Sequence, residues 1–279
     1  MFVYRSRLLH RGEVWYEEEP GAEAVDWIYY RQRPRPKPRS RWRPFFTWLI
    51  DLRPPLAALR SAMDPRTARK IHEAQADDHL QWECCRPQRR TALAAVARSW
   101  NEFADARHSA RLEVDWLAPM IAVQRLEVIT VRDATGQPLV TQLTYRPLER
   151  ARQLIAVSHF PGAADPALRR RVNRANCFGH WRNFAHLQQE GVRYFDFGGW
   201  YPGTTDIERL GMNAFKQSFG GEVRRDFDGE RSRSLRGWVA LNLVRWLRQD
   251  RERHPPAPAA VEPTPHATSE LPGHVSPAV

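Results

Sequence analysis

Apolar and polar positions along this chain switch between a two-residue and a 3.6-residue period, and each switch marks an element. The apolar run FTWLID at 46–51 predicts a strand. Asp64 followed by Pro65 opens a helix over 65–75, because aspartate caps free N–H groups and proline loses no hydrogen bond in the first turn. Its Arg66, Arg69 and Lys70 fall largely on one side. LQWECC at 80–85 reads as a short strand. Over 91–106, Leu93, Val96, Trp100 and Phe103 recur at helical spacing, and VDWLAPMIA at 114–122 predicts a second helix bent at Pro119. Strands follow at 125–132, 138–145 and 153–158, the first two joined by the turn Asp133-Ala134-Thr135-Gly136. The longest helix covers 167–191, with Gly191 as its C-cap. A buried strand at 193–197, a helix at 207–219 stopped by Gly220-Gly221, and a strand at 221–227 complete the pattern. From residue 80 the order is β-α-α-β-β-β-α-β-α-β.

Composition narrows the classes. With 279 residues, 42% of them hydrophobic, the chain can bury a substantial core. Cys84, Cys85 and Cys177 form no disulfide framework, no C-x-x-C spacing marks a zinc site, and no metal is expected. A reducing cytoplasm suits such cysteines. The N-terminal residues become charged too early for a signal peptide, and no apolar run is long enough to span a bilayer. The formal net charge of +11 attracts acidic partners.

That charge is uneven. RQRPRPKPRSRWRP at 31–44 carries seven basic residues and no acid, and its alternate prolines predict an extended, solvated arm. Such an arm either links an N-terminal hairpin to the body or binds phosphate groups. At the other end, 251–279 is too rich in proline to fold and reads as disordered. The segment before it, 233–250, predicts an amphipathic helix with Trp and Arg. It either packs on the body or lies on the anionic inner face of a membrane.

The order of elements, together with several motifs, resembles the GNAT superfamily of acyltransferases, in its FemABX-like branch. Asn173-Arg174-Ala175-Asn176 and His180-Trp181 on the long helix carry the resemblance, as do Asp196-Phe197-Gly198-Gly199, Phe215-Lys216 and Phe219-Gly220-Gly221. The likeness covers roughly residues 46–228. It implies a mixed α/β fold, GNAT-like, whose splayed central mixed sheet is flanked by helices and opens a cleft for an activated acyl group. The domain plan is then an N-terminal extension with the basic arm (1–45), a strand-helix lead-in (46–79) and the GNAT-like domain (80–232). The helix at 233–250 and the tail at 251–279 follow. The lead-in could be a remnant of the first of the two units found in relatives that build peptidoglycan cross-bridges.

The resemblance also implies chemistry: transfer of an acyl or aminoacyl group from an activated donor to an amine. The acceptor class is an amino sugar or another cell-envelope or polysaccharide precursor. The donor is acetyl-CoA or another acyl donor, and nucleic acid enters only if aminoacyl-tRNA is that donor. The stretch before and within the long helix offers Pro161-Gly162 and Arg169-Arg170-Arg171 to a pyrophosphate, without a Q/R-x-x-G-x-G/A pattern.

Lys216 matches the family lysine that lies near the reacting carbonyl, where a cation stabilises the developing oxyanion. Asn213 shares its helix face at i, i+3. Asp196, a carboxylate in an aromatic strand, either orients the amine or acts as base, or else accepts backbone N–H groups or pairs with Arg174. Asn173, Asn176 and His180 form one stripe, followed by Trp181, that either lines the cleft or bonds neighbouring loops. His159 is another candidate base. Gly198 and Gly199 turn the chain at the cleft mouth, and Tyr201 and Asp206 in the following loop are candidate acceptor contacts. Two further classes stand beside the enzyme: a ligand-binding protein on the same scaffold, and a basic nucleic-acid binder lacking any recognised binding motif.

Overall fold

The computed structural model describes residues 1–6, 9–106, 111–147, 149–160 and 165–243. Among these, ten strands join in one mixed sheet of order β1-β2-β3-β10-β4-β9-β8-β7-β6-β5. The strands are β1 (Phe2–Ser6), β2 (Leu9–Trp15), β3 (Trp27–Arg33), β4 (Arg41–Asp51), β5 (Gln81–Cys85), β6 (Leu126–Arg132), β7 (Pro138–Tyr145), β8 (Arg150–Ser158), β9 (Tyr194–Gly199) and β10 (Glu222–Ser232). The helices are α1 (Leu56–Ser61), α2 (Pro65–Ala76), α3 (Ala94–Ala106), α4 (Val114–Ala122), α5 (Pro166–Gln189) and α6 (Ile207–Gln217). From β5 onward the predicted order of elements is the observed one.

Strand alternation divides the core into two layers. Leu126 and Val128 on β6, Leu143 and Tyr145 on β7, and Ile155 on β8 pack with Leu93, Leu117 and Met120 from the α3–α4 side. Val131 and Val140 point the other way, into a cluster with Ile71 of α2, Phe178 and Phe184 of α5, and Phe195 and Phe197 of β9. Each fully buried aromatic or aliphatic side chain of this kind contributes about 1.5–3 kcal/mol. Helix α5 starts as its sequence dictates: the Asp165 carboxylate accepts from the N–H groups of Ala167 and Leu168, with Pro166 next to it. Gly191 beyond its end has φ +78°.

The N-terminal third departs from the expected arm. Residues 31–33 end β3 and residues from 41 onward begin β4, so only the short connection between them follows the proline-rich reading. Pairing explains the difference: β10 runs antiparallel to both β3 and β4, and its ladder offers the backbone partners that a solvated arm would lack. Strand β4 stands between β9 and β10, so 46–51 belongs to the same sheet as the strands from β5 to β10. Helix α1 is an element that the pattern of apolar positions did not suggest. Residues Met1–Trp238 form one compact unit. Residues 244–250 of the predicted terminal helix and the tail 251–279 lie outside the described residues.

Candidate active site

Strands β8 and β9 run parallel but pair only over Arg150–Arg152 and Tyr194–Asp196. Beyond that point each continues with no ladder between them, so their C-terminal halves part. The sequence places glycine where β9 needs it. A bulge interrupts the β4–β9 register at this end, and Gly198 sits there with φ +86°. A Cβ at 198 would also meet the Arg152 guanidinium at 1.7 Å. Glycine thus lets Arg152 lie directly over the β9 backbone at the parting. Gly199 has open space around its α-carbon apart from the Phe45 ring at 3.9 Å.

Lys216 reaches this place from α6. Its ammonium donates to the carbonyl of Gly199 and, at 3.4 Å, to that of Gly198. The side chain is half-buried. Burial, reinforced by the nearby Arg152 charge and only partly opposed by Asp196, lowers its pKa to about 8. Two cations therefore share the point where the strands separate. The Nε–H of Arg152 is buried with no hydrogen-bond partner among the described residues.

Asp196 lies behind them, fully buried, and every direction around it is filled. It accepts from Arg150 Nε at 3.0 Å and Nη2 at 2.6 Å, from Gln32 Nε2 at 2.7 Å, from the Gly198 N–H at 2.7 Å, and from the Thr47 hydroxyl. Arg152 stands 3.8 Å away. Burial alone would raise its pKa, but Arg150, Arg152 and these donors outweigh it and hold the carboxyl below its usual value. A carboxylate so saturated is a poor base; its geometry is that of an anchor for Arg150 and Arg152. Its partner is not Arg174, which is held instead by Asp78 at 2.5 and 2.7 Å. Arg150 also bonds Asp226 at 2.6 Å, tying β8 to β10 across two intervening strands. Gln32 can reach Asp196 because a bulge between β3 and β10 turns its backbone to φ +50°.

The other expected residues separate into distinct places. His180 is fully buried among Phe184, Phe195, Phe197, Phe215 and Phe219, with ring centroids 4.9–6.5 Å away. Neither ring nitrogen has a partner, and burial lowers its pKa to about 3. It is a neutral member of an aromatic core and does not line the cleft. Trp181 is likewise a core residue. Asn176 accepts from Gln142 of β7 at 3.2 Å, whereas Asn173 is exposed beside Arg69, Lys70, Arg169 and Arg170 in a basic groove between α2 and α5. The three-residue stripe is therefore not one surface: α5 carries it from solvent into the core. Asn213 is a clamp, donating to the Tyr201 carbonyl at 2.8 Å and accepting its N–H at 3.2 Å. Asp206 caps α6, accepting the Arg209 N–H at 3.0 Å. The Tyr201 hydroxyl meets Thr205 at 3.3 Å. His159 bonds Thr141 on β7 at 2.9 Å, away from β9, and burial followed by the Arg132 charge lowers its pKa. Of the predicted set, Lys216, Gly198 and Gly199 meet at the parting, with Asp196 beneath. Pro161-Gly162 lies outside the described residues.

Arg152 and Arg150 escaped the sequence reading, although a signal existed. The alternation of Arg150, Ala151 and Arg152 puts two arginines on one face of a strand whose middle residue is buried. Such a pair inside a sheet needs an anion, and Asp196 is that anion.

One substitution distinguishes core from cleft. His180→Leu removes two buried polar atoms that have no partners and is expected to leave transfer activity unchanged while raising stability by about 1–2 kcal/mol. Urea unfolding beside an activity assay checks this; lost activity in a folded variant would return His180 to the cleft.

No family model matches the chain, and no curated protein is similar to it. A solved structure of another protein does share its fold. FemX superposes with a TM-score of 0.54 at 11% identity, over 71% of this chain and 63% of FemX. The L-PGS structure from Bacillus licheniformis superposes at 0.47 with 13% identity, over 79% of this chain and 72% of that one. The likeness to FemX shows the fold alone, a mixed α/β fold with a mixed sheet flanked by helices. This chain spans somewhat less than two thirds of the length of FemX.

Proposed function

We propose that this protein is an N-acyltransferase, moving an acyl or aminoacyl group from an activated donor to an amine of an amino sugar or another cell-envelope or polysaccharide precursor. One observation carries the reading: Lys216 and Arg152 converge where β8 and β9 part. In the reaction the neutral amine attacks the donor carbonyl and the carbonyl oxygen gains negative charge. The Lys216 ammonium and the nearby positive charge of Arg152 oppose that charge, in a partly dry setting where such interactions are strongest. Collapse of the tetrahedral species expels the donor's leaving group, which takes up the proton lost by the amine. Asp196 keeps both strands and Arg152 in register without touching the reacting atoms.

The donor is a CoA thioester, an acylated carrier protein or an aminoacyl-tRNA; all three carry phosphate, which the basic groove between α2 and α5 complements. Among the described residues no helix is long and apolar enough to cross a membrane. Exposed Leu235 and Trp238 fit a peripheral contact with an anionic inner membrane face. Incubation with each donor class and a panel of amino sugars, followed by mass spectrometry, is expected to show one acyl increment on the amine with a single donor class. Tight ligand binding without turnover of any donor would favour a binding protein on the same scaffold.

A further inference from the structure

A second cluster of chemically capable side chains lies outside the β8–β9 parting. Cys84 on the edge strand β5, Glu127 on the adjacent β6 and His186 on the last turn of α5 point at one another. Cys84 Sγ is 3.8 Å from His186 Nε2, and that same nitrogen is 3.5 Å from Glu127 Oε1. The three ligand atoms all lie within 4.8 Å of one another. Glu127 is fully buried, and its Oε2 has no partner among the described residues.

A thiol, an imidazole and a carboxylate can form a nucleophile with its base and orienting acid, or a metal site. The geometry separates the two. A nucleophilic triad uses both ring nitrogens, one toward sulfur and one toward the acid. Here Nε2 alone faces both partners, so the three groups converge on a point. Zinc bound tetrahedrally at its usual bond lengths holds sulfur and nitrogen ligands about 3.6 Å apart and nitrogen and oxygen ligands about 3.4 Å apart. The sulfur–nitrogen and nitrogen–oxygen separations match to about 0.2 Å, and the sulfur and oxygen atoms lie within 4.8 Å of each other.

We infer that Cys84, Glu127 and His186 form a binding site for a divalent ion of the zinc class, with three protein ligands and a fourth position open to water. Borderline-soft Zn²⁺ suits this mixed sulfur, nitrogen and oxygen set, whereas magnesium and calcium prefer oxygen alone. Arg86 and Arg146 hold Glu127 Oε1 at 3.0 and 3.1 Å and also pair with Glu190. They orient the carboxylate from outside the ligand set. On binding, the Cys84 thiol gives its proton to solvent and sulfur bonds the metal as thiolate, while Glu127 and His186 each donate a lone pair. The ion would clip the edge strand β5 to α5.

Chelator-treated full-length protein titrated with Co²⁺ and Zn²⁺ tests the site. One cobalt per chain with a thiolate-to-cobalt charge-transfer band is expected, displaced by zinc, together with a higher melting temperature in zinc. Cys84→Ser is expected to abolish the band and, like His186→Ala, to weaken binding at least tenfold. Cys85→Ser, whose exposed side chain leaves the other face of β5, is expected to change neither. No stoichiometric binding, a cobalt spectrum without the thiolate band, or a band that survives Cys84→Ser would overturn the assignment. Circular dichroism of each variant keeps misfolding apart from ligand loss.

Discussion

Lys216→Met is expected to lower the turnover of acyl transfer by about 10²–10³-fold while leaving the protein folded, the loss typical when one oxyanion donor is removed. The ammonium is anchored on the Gly198 and Gly199 carbonyls, and its methylene stem crosses to the end of β9. Methionine keeps that stem and removes the charge. The pH dependence follows from the direction of the shift. A lysine with pKa about 8 acts as a cation below that value, so wild-type turnover is expected to fall as pH rises through about 8. A lysine acting as base would give a rate that climbs through the same region. Stability moves the other way. Between about 8 and the unperturbed 10.5 the unfolded chain binds more protons than the folded one, so wild-type stability rises with pH across that window. At pH 7 the buried charge is a net cost, and Lys216→Met is expected to melt higher than wild type. Wild-type turnover in the variant, with a defined donor and acceptor, would remove Lys216 from the mechanism.

Much of this arrangement was legible where local signals were strong. Periodicity alone ordered the elements from β5 to β10, because each is long enough for one face to be apolar over several repeats. The glycines at 198 and 199, read as a turn after a strand ending at 197, instead form the last two residues of β9, where few other residues tolerate the Gly198 backbone and the approach of Arg152. Elsewhere the deciding interactions are distant in sequence. β4 lies between β9 and β10 through pairing across more than 140 positions, which no local pattern records. The basic proline-rich stretch reads as solvated arm until β10 supplies its ladder. His180 and Asn173 share a helical stripe in projection, yet α5 passes from groove to core between them, so the periodicity that aligned them could not tell which end is wet. Arg152 was hidden by a strand boundary placed at 153, three residues after β8 begins at Arg150.

The same long-range logic makes Asp196 the residue on which the site's shape depends most. Asp196→Asn is expected to destabilise the protein by about 3–5 kcal/mol, the usual cost of leaving a buried charge without its counterpart. The amide keeps the size of the carboxylate but turns one oxygen into a donor facing Arg150, Arg152 and Gln32, all donors already. Arg150 retains Asp226, so the loss is expected at the lower end of that range. Arg150→Gln made together with Asp196→Asn is expected to cost less than the sum of the singles, because each removes the partner whose absence hurts the other. Acid acts in the same direction: the folded-state pKa is depressed, so this contribution is complete above 3.8, the ordinary value, and is lost as pH falls below it. Asp226 opposes part of this, since burial raises its pKa despite Arg150. Urea midpoints for the two singles and the double, repeated across acidic pH, measure all of these quantities. Should Asp196→Asn instead keep wild-type stability and lose only turnover, the carboxylate would be a catalytic base, and the anchoring role drawn from its five donors would be wrong.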